Sequence, residues 1–252
     1  METADADPAF RALTQLLAAN LLRGQHIVLW GPRGIGKTTL LRAVRQELGS
    51  APCALSATTN SLDDITRALE RAYTNVQTTG LARRAARSRL WWAADAEPGC
   101  LLLDHVTRVP TAMKGWLRRL RGGVIGVVLA VDVDSPRERE RLRALKIGCT
   151  TLRMPPVASR SLSRSLTQLW TEAQILPLLA PAGRALVRAA RGRPRWLVQC
   201  AALAAQPQYW HDGQLQVHVL ALDTEISLRG VQLNAAKIAS EPFNHTAATV
   251  SR

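Results

Sequence analysis

No apolar run in this 252-residue chain approaches the roughly 18–20 residues that a membrane-spanning helix requires. The opening METADADPAF is acidic and lacks the charged-then-apolar layout of a secretory signal. A cytoplasmic product with no membrane partner is expected. Close-set cysteines are missing too. Cys53, Cys100, Cys149 and Cys200 stand far apart with no C-x-x-C pair, which argues against a zinc site or a redox couple. They read as small hydrophobes, most of them on core strands. Lysine is scarce: Lys37, Lys114, Lys146 and Lys237 are four of the 33 basic residues, and the other 29 are arginine. The net charge of +14 invites a polyanionic partner, but the arginine and alanine excess also fits GC-rich coding and weakens that inference. Internal repeats are absent.

What the chain has is a 47% apolar fraction, enough for a real core. Its pattern alternates strand and helix, which predicts an α/β fold with a mostly parallel sheet. Helical spacing covers 8–22, and HIVLW (His26 to Trp30) is a short buried strand. Further helices are expected over 37–48, 61–73, with Asp64 three residues after a Ser61 N-cap, and about 81–94. Strands are expected at 53–57, 100–106, 124–133 and 150–154, with helices at 111–121 and from Ser135–Pro136 to about 145. After Pro155–Pro156 the chain turns helical, with segments near 161–170, 181–190 and 194–205. Asp212–Gly213 marks a turn, and 217–228 reads as a helix or a hairpin strand. The expected organisation is an N-terminal helix (1–24), a core (25–155), a helical part (156–230) and a loose tail (231–252).

The strongest motif is Gly31-Pro32-Arg33-Gly34-Ile35-Gly36-Lys37-Thr38-Thr39, a match to G-x-x-x-x-G-K-[ST]. A chain of this length meets that pattern by accident roughly one time in a hundred. Here it follows an expected strand and opens an expected helix, the context a phosphate-binding loop requires. Glycines let backbone N–H groups surround phosphates, and the helix N-terminus adds positive potential. Lys37 would reach the β- and γ-phosphates of ATP (or, less favoured, GTP), and the Thr38 hydroxyl would ligate Mg²⁺. Leu101-Leu102-Leu103-Asp104 is an apolar strand ending in a carboxylate, the Walker B arrangement, so Asp104 is the second candidate for the Mg²⁺ site.

With these two motifs the chain resembles the AAA+ ATPases, above all the bacterial helpers related to transposition and origin-recognition ATPases. The resemblance extends over roughly residues 10–205 and adds VVLAVDVD at the sensor-1 place and Gly192-Arg193-Pro194-Arg195 in a helical lid. It implies a three-layer P-loop NTPase core followed by that lid over 156–230. It also implies that Arg195 senses the γ-phosphate, and that Arg141 or Arg143, in RERERLR, acts as an arginine finger towards a neighbouring subunit. An Arg/Glu-alternating solvated helix would produce the same run.

Two departures bear on turnover. His105 follows Asp104 where the family places a glutamate, and a neutral imidazole is a poorer match to the water-polarising geometry. At sensor 1 the candidates are Asp132 and Asp134 rather than Asn, Thr or Ser, and a carboxylate there repels phosphate unless Mg²⁺ or arginine screens it. Binding is therefore a safer expectation than hydrolysis.

The resemblance implies an ATP-dependent homo-oligomer acting on duplex DNA, without sequence preference, through Lys114, Arg118, Arg119 and Arg121. A recombinase, transposase or effector is the expected protein partner. Trp116 and the tandem Trp91–Trp92 read as packing residues. The alternatives are a signalling-type switch ATPase and a non-hydrolysing ATP-binding scaffold. A small-molecule kinase lacks a recognisable acceptor-site pattern.

Overall fold

The apolar runs become strands whose alternate residues feed two cores. The computed structural model describes residues 8–57, 61–97, 99–106, 126–134, 149–172 and 180–240. It divides into two units, Met1–Val157 and Ala158–Arg252. In the first unit the chain runs α1 (Pro8–Leu22), β1 (His26–Gly31), α2 (Lys37–Glu47), β2 (Cys53–Ser56), α3 (Leu62–Ala72), α4 (Arg83–Ala96), β3 (Cys100–Leu103), β4 (Gly126–Asp132) and β5 (Thr150–Arg153). The five strands are parallel, in the order β2-β3-β4-β1-β5. This is the three-layer α/β core expected from the sequence.

Successive strand residues face opposite sides of a sheet. Val28, Leu101, Leu103, Val127, Leu129 and Val131 accordingly pack with Ile65 and Leu69 of α3, Tyr73 beyond it, and Leu90 of α4. The alternate residues Ile27, Leu29, Leu102, Val128 and Ala130 pack with Leu17 and Leu21 of α1 and with Leu40, Leu41 and Val44 of α2. Burial on both faces is why β1, β3 and β4 read as nearly unbroken apolar runs. Each such leucine or valine contributes about 1.5–3 kcal/mol relative to exposure. The N-terminal helix is thus a layer of the core. Its end meets the start of β4 so closely that a Cβ on Gly126 would lie 2.3 Å from the Leu21 carbonyl oxygen.

Ser61 caps α3 as expected. Its hydroxyl accepts the Asp64 N–H at 3.2 Å, while the Asp64 carboxylate accepts the Ser61 N–H at 3.1 Å. Of the tandem tryptophans, Trp91 packs against the core, but Trp92 is 77% exposed. The packing expectation fails for Trp92 because neighbouring positions of a helix cannot share one face. The helices expected at 111–121 and up to about 145 lie outside the described residues.

The second unit holds α5 (Ser159–Glu172), α6 (Ala180–Ala190), α7 (Pro194–Ala204), a 3₁₀ turn (Pro207–Tyr209), the two-residue strands β6 (Trp210–His211) and β7 (Gln214–Leu215), and α8 (Val217–Ser240). Leu162, Leu166, Trp170, Leu186, Trp196, Leu197 and Leu220 are buried in it. Asp212 and Gly213 both take positive φ, 50° and 73°, which a two-residue hairpin turn requires. Helix α8 reaches Ser240, ten residues into the stretch read as a loose tail. Helix formers such as Leu233, Ala235, Ala236 and Lys237 sustain it without a periodic apolar face.

Candidate nucleotide site

Three elements deliver the site: the loop after β1, the end of β3 and the end of β4. β1 and β4 are paired in register, so Gly31 lies opposite Asp132. The Val133 N–H donates to the Gly31 carbonyl at 3.1 Å. From there the loop turns through Gly34 (φ 76°) and Gly36 (φ 108°), conformations that favour glycine. Gly36 is also the N-cap of α2, and no side chain caps that helix end. The N–H groups of its first turn have no partner within the helix. Thr38 and Thr39 are half-buried on that turn.

Lys37 is buried, 6% exposed. Its ammonium donates to the Gly31 carbonyl at 2.8 Å and to the Pro32 carbonyl at 2.9 Å, and lies 2.6 Å from Asp132 Oδ1. Arg33 reaches the same strand end. Its N–H donates to Asp134 Oδ1 at 2.9 Å, and its Nε lies 3.3 Å from Asp134 Oδ2 and 3.7 Å from Asp132 Oδ2.

Asp104 follows β3 and is buried, 3% exposed. Its N–H is tied to the Ser56 carbonyl at 2.9 Å. His105 takes positive φ (49°), and its N–H donates to Asp104 Oδ1 at 2.9 Å. The imidazole stands between two carboxylates, with Nε2 3.7 Å from Asp104 Oδ2 and Nδ1 3.6 Å from Asp132 Oδ2. Pairing with Asp132 raises its pKa, helped by the charge of Asp104 against the opposing effects of burial and Lys37. Burial alone would raise the Asp132 pKa, but His105 and Lys37 outweigh it and hold that carboxyl well below the usual carboxylate range. The cluster therefore sets Lys37, Arg33 and the His105 imidazole against three carboxylates (Asp104, Asp132 and Asp134).

The AAA domain family matches residues 21–150, just over half of the chain. The chain belongs to the AAA domain family. Curated protein sequences give no match. Similar solved structures include the FIGL-1 AAA domain in complex with ADP, at 16% identity over 81% of this chain and 71% of that one, with a TM-score of 0.47. Another is domain III of the Thermotoga maritima replication initiation protein DnaA, at 14% identity over 81% of this chain and 85% of that one, also with a TM-score of 0.47.

The structure of this AAA-domain chain brings Gly31–Thr39, Asp104 and His105 together on one side of the sheet end. It adds Asp132, Asp134 and Arg33 as mutual partners, a connection that follows from β1 and β4 being parallel neighbours and both ending at the loop. Arg195 lies in the second unit, exposed on the first turn of α7. The neighbouring Arg193 is buried there, with Nε donating to the Ala190 carbonyl at 3.0 Å and its guanidinium paired with Glu225. Arg193 is thus a structural residue of that unit, and Arg195 is the arginine of this motif that solvent reaches. Arg141, Arg143, Lys114, Arg118, Arg119 and Arg121 lie outside the described residues.

Proposed function

We propose that this AAA+ ATPase domain binds Mg-ATP at the Gly31–Thr39 loop and acts as a nucleotide-switched, oligomerising assembly factor on DNA. One observation carries the nucleotide reading: a buried lysine at an uncapped helix start, with a buried aspartate following β3, the parallel strand next but one to β1. The residues fit the ligand. The loop glycines take the backbone conformations a phosphate cradle needs, and the α2 N-terminus supplies positive potential. Lys37 would hold phosphate oxygens, Thr38 and Asp104 would hold Mg²⁺, and the ion would neutralise phosphate charge.

Turnover is expected to be slow. His105 occupies the position after Asp104, and flanked by two carboxylates it favours the imidazolium form, which has no lone pair to accept a proton from water. The same feature favours a second reading, an ATP-binding scaffold that does not hydrolyse.

The DNA role is supported by the +14 charge and by the sequence resemblance. Assembly through Arg141 or Arg143 and a γ-phosphate contact from Arg195 belong to the same proposal. The deciding experiment is thermal stabilisation by Mg-ATP. Stabilisation should follow RT ln(1+[L]/Kd), a few kcal/mol at saturation. Lys37→Ala should lose it while keeping the far-UV spectrum of the apo protein. A Lys37→Ala variant with unchanged affinity would remove the basis of the reading.

A further inference from the structure

Asp132 belongs to neither nucleotide-binding motif, yet it is the acidic partner of the P-loop lysine. An ammonium has three protons to donate. Lys37 has three acceptors at 2.6–2.9 Å: two loop carbonyls and Asp132 Oδ1. Its donor capacity is therefore filled without a ligand. The loop is held to the end of β4 at a second point, where the Arg33 N–H and Nε meet Asp134. Both contacts follow from register, since Gly31 and Asp132 are opposite one another and Asp134 lies two residues further on.

We infer that Asp132 is the affinity-setting residue of the nucleotide site, an internal anion that holds Lys37 until phosphate displaces it. The inference rests on the nucleotide reading above and adds to it a competitor. A phosphate that accepts a hydrogen bond from Lys37 has to replace one of the three acceptors, and only Asp132 carries a full negative charge. Once displaced, its carboxylate still lies beside the phosphates and repels them, screened by Arg33 and His105. Asp132 therefore opposes binding twice, by occupying Lys37 and by like charge. In the apo protein it does the reverse, neutralising a lysine that is nearly out of solvent. The cluster exchanges one anion for another, so the apo state is stable and nucleotide is held weakly enough to leave.

The test compares wild type with Asp132→Asn, which keeps an acceptor oxygen and removes the charge, and with Asp132→Ser as a second variant should the amide misfold. Far-UV circular dichroism establishes folding. Calorimetric titration with Mg²⁺ and a non-hydrolysable ATP analogue gives affinity, and thermal melts without nucleotide give apo stability. Asp132→Asn is expected to bind the analogue at least about tenfold more tightly, the scale of losing one like-charge contact at partly screened distance. Its apo melting temperature should fall, and saturating analogue should narrow the gap to wild type. Equal or weaker binding by both folded variants overturns the inference while leaving the nucleotide reading intact. Absence of binding by wild type and variants alike overturns the nucleotide reading itself, and the inference with it.

Discussion

Nδ1 of His105 lies 3.6 Å from Oδ2 of Asp132, so the residue after the β3 aspartate is paired through space with the last residue of β4. That pair makes stability depend on pH in a defined direction. The folded-state pKa of His105 is raised above its ordinary 6.5, so its contribution is complete below about that pH. It is lost as pH rises through the folded value. The Asp132 pKa is lowered from 3.8, so its contribution is present above that value and is lost as pH falls below it. Thermal melts of apo wild type and His105→Gln should differ most below about pH 6.5, and the difference should shrink as pH rises above it. A difference that grows with pH would show that the imidazole is not held as a cation.

The position of His105 also predicts the rate. A glutamate following Asp104 could accept a proton from water, whereas the two carboxylates beside His105 favour the form of the imidazole that has no lone pair to do so. The isolated wild-type protein should turn over ATP below about 10 s⁻¹, the median for enzymes. His105→Glu should raise that rate with little change in nucleotide affinity. A fast wild type, or a slower His105→Glu, would assign the histidine a productive catalytic role.

The sheet was legible because its three central strands each end at a recognisable punctuation. HIVLW runs into glycines, CLLL into Asp104, and GVVLAV into Asp132. Parallel strands buried on both faces leave no alternation to mistake for another architecture. The loop and Asp104 were legible for the same reason, since their chemistry requires fixed spacing. The Asp132–Lys37 and Arg33–Asp134 contacts were not. They span the chain between two distant segments and depend on strand order, which residue patterns alone leave open. The end of α8 was missed for a different reason. Helix propensity over 231–240 carries no apolar period, so nothing in the pattern distinguished it from a tail.

The junction between α1 and β4 predicts a measurable cost. A Cβ on Gly126 would stand 2.3 Å from the Leu21 carbonyl oxygen and 2.7 Å from its Cα, both backbone atoms that move only with the helix. Gly126→Ala should destabilise the protein by about 1–3 kcal/mol, the usual range for overpacking. Urea unfolding monitored by circular dichroism measures it. A neutral Gly126→Ala would mean that α1 adjusts freely against the sheet.

The cysteines should differ sharply in reactivity. Cys53 and Cys100 face one another across β2 and β3, and burial pushes their thiols up to about 11 and 12. Cys200 is buried in the second unit, with its thiol pushed to about 12. Thiolate is the reactive form, so all three should resist alkylation in the native protein. Cys149, which is only partly buried, should label first. Mass spectrometry after brief iodoacetamide treatment gives the order, and early labelling of Cys53 or Cys100 would contradict the packing of the sheet edge.

DNA association is the furthest-reaching expectation and has its own signature. A chain of net charge +14 should bind duplex mainly through phosphates, releasing counterions. Affinity should then fall steeply with salt, with a slope near 0.9 per phosphate neutralised. Charge alone would give that result, so salt dependence does not separate the readings. Nucleotide does. If ATP drives assembly, several basic faces engage one duplex and a non-hydrolysable analogue strengthens binding without any new contact per subunit. The same analogue should enlarge the particle in light scattering, and Arg141→Ala or Arg143→Ala should prevent that growth. Charge-neutralising changes at Lys114, Arg118, Arg119 and Arg121 should flatten the salt slope equally on unrelated sequences. The measurement is a mobility-shift titration at about 150 mM salt, with and without analogue. A switch ATPase serving a protein partner would bind DNA weakly and identically in both arms, and that outcome would move the partner from nucleic acid to protein.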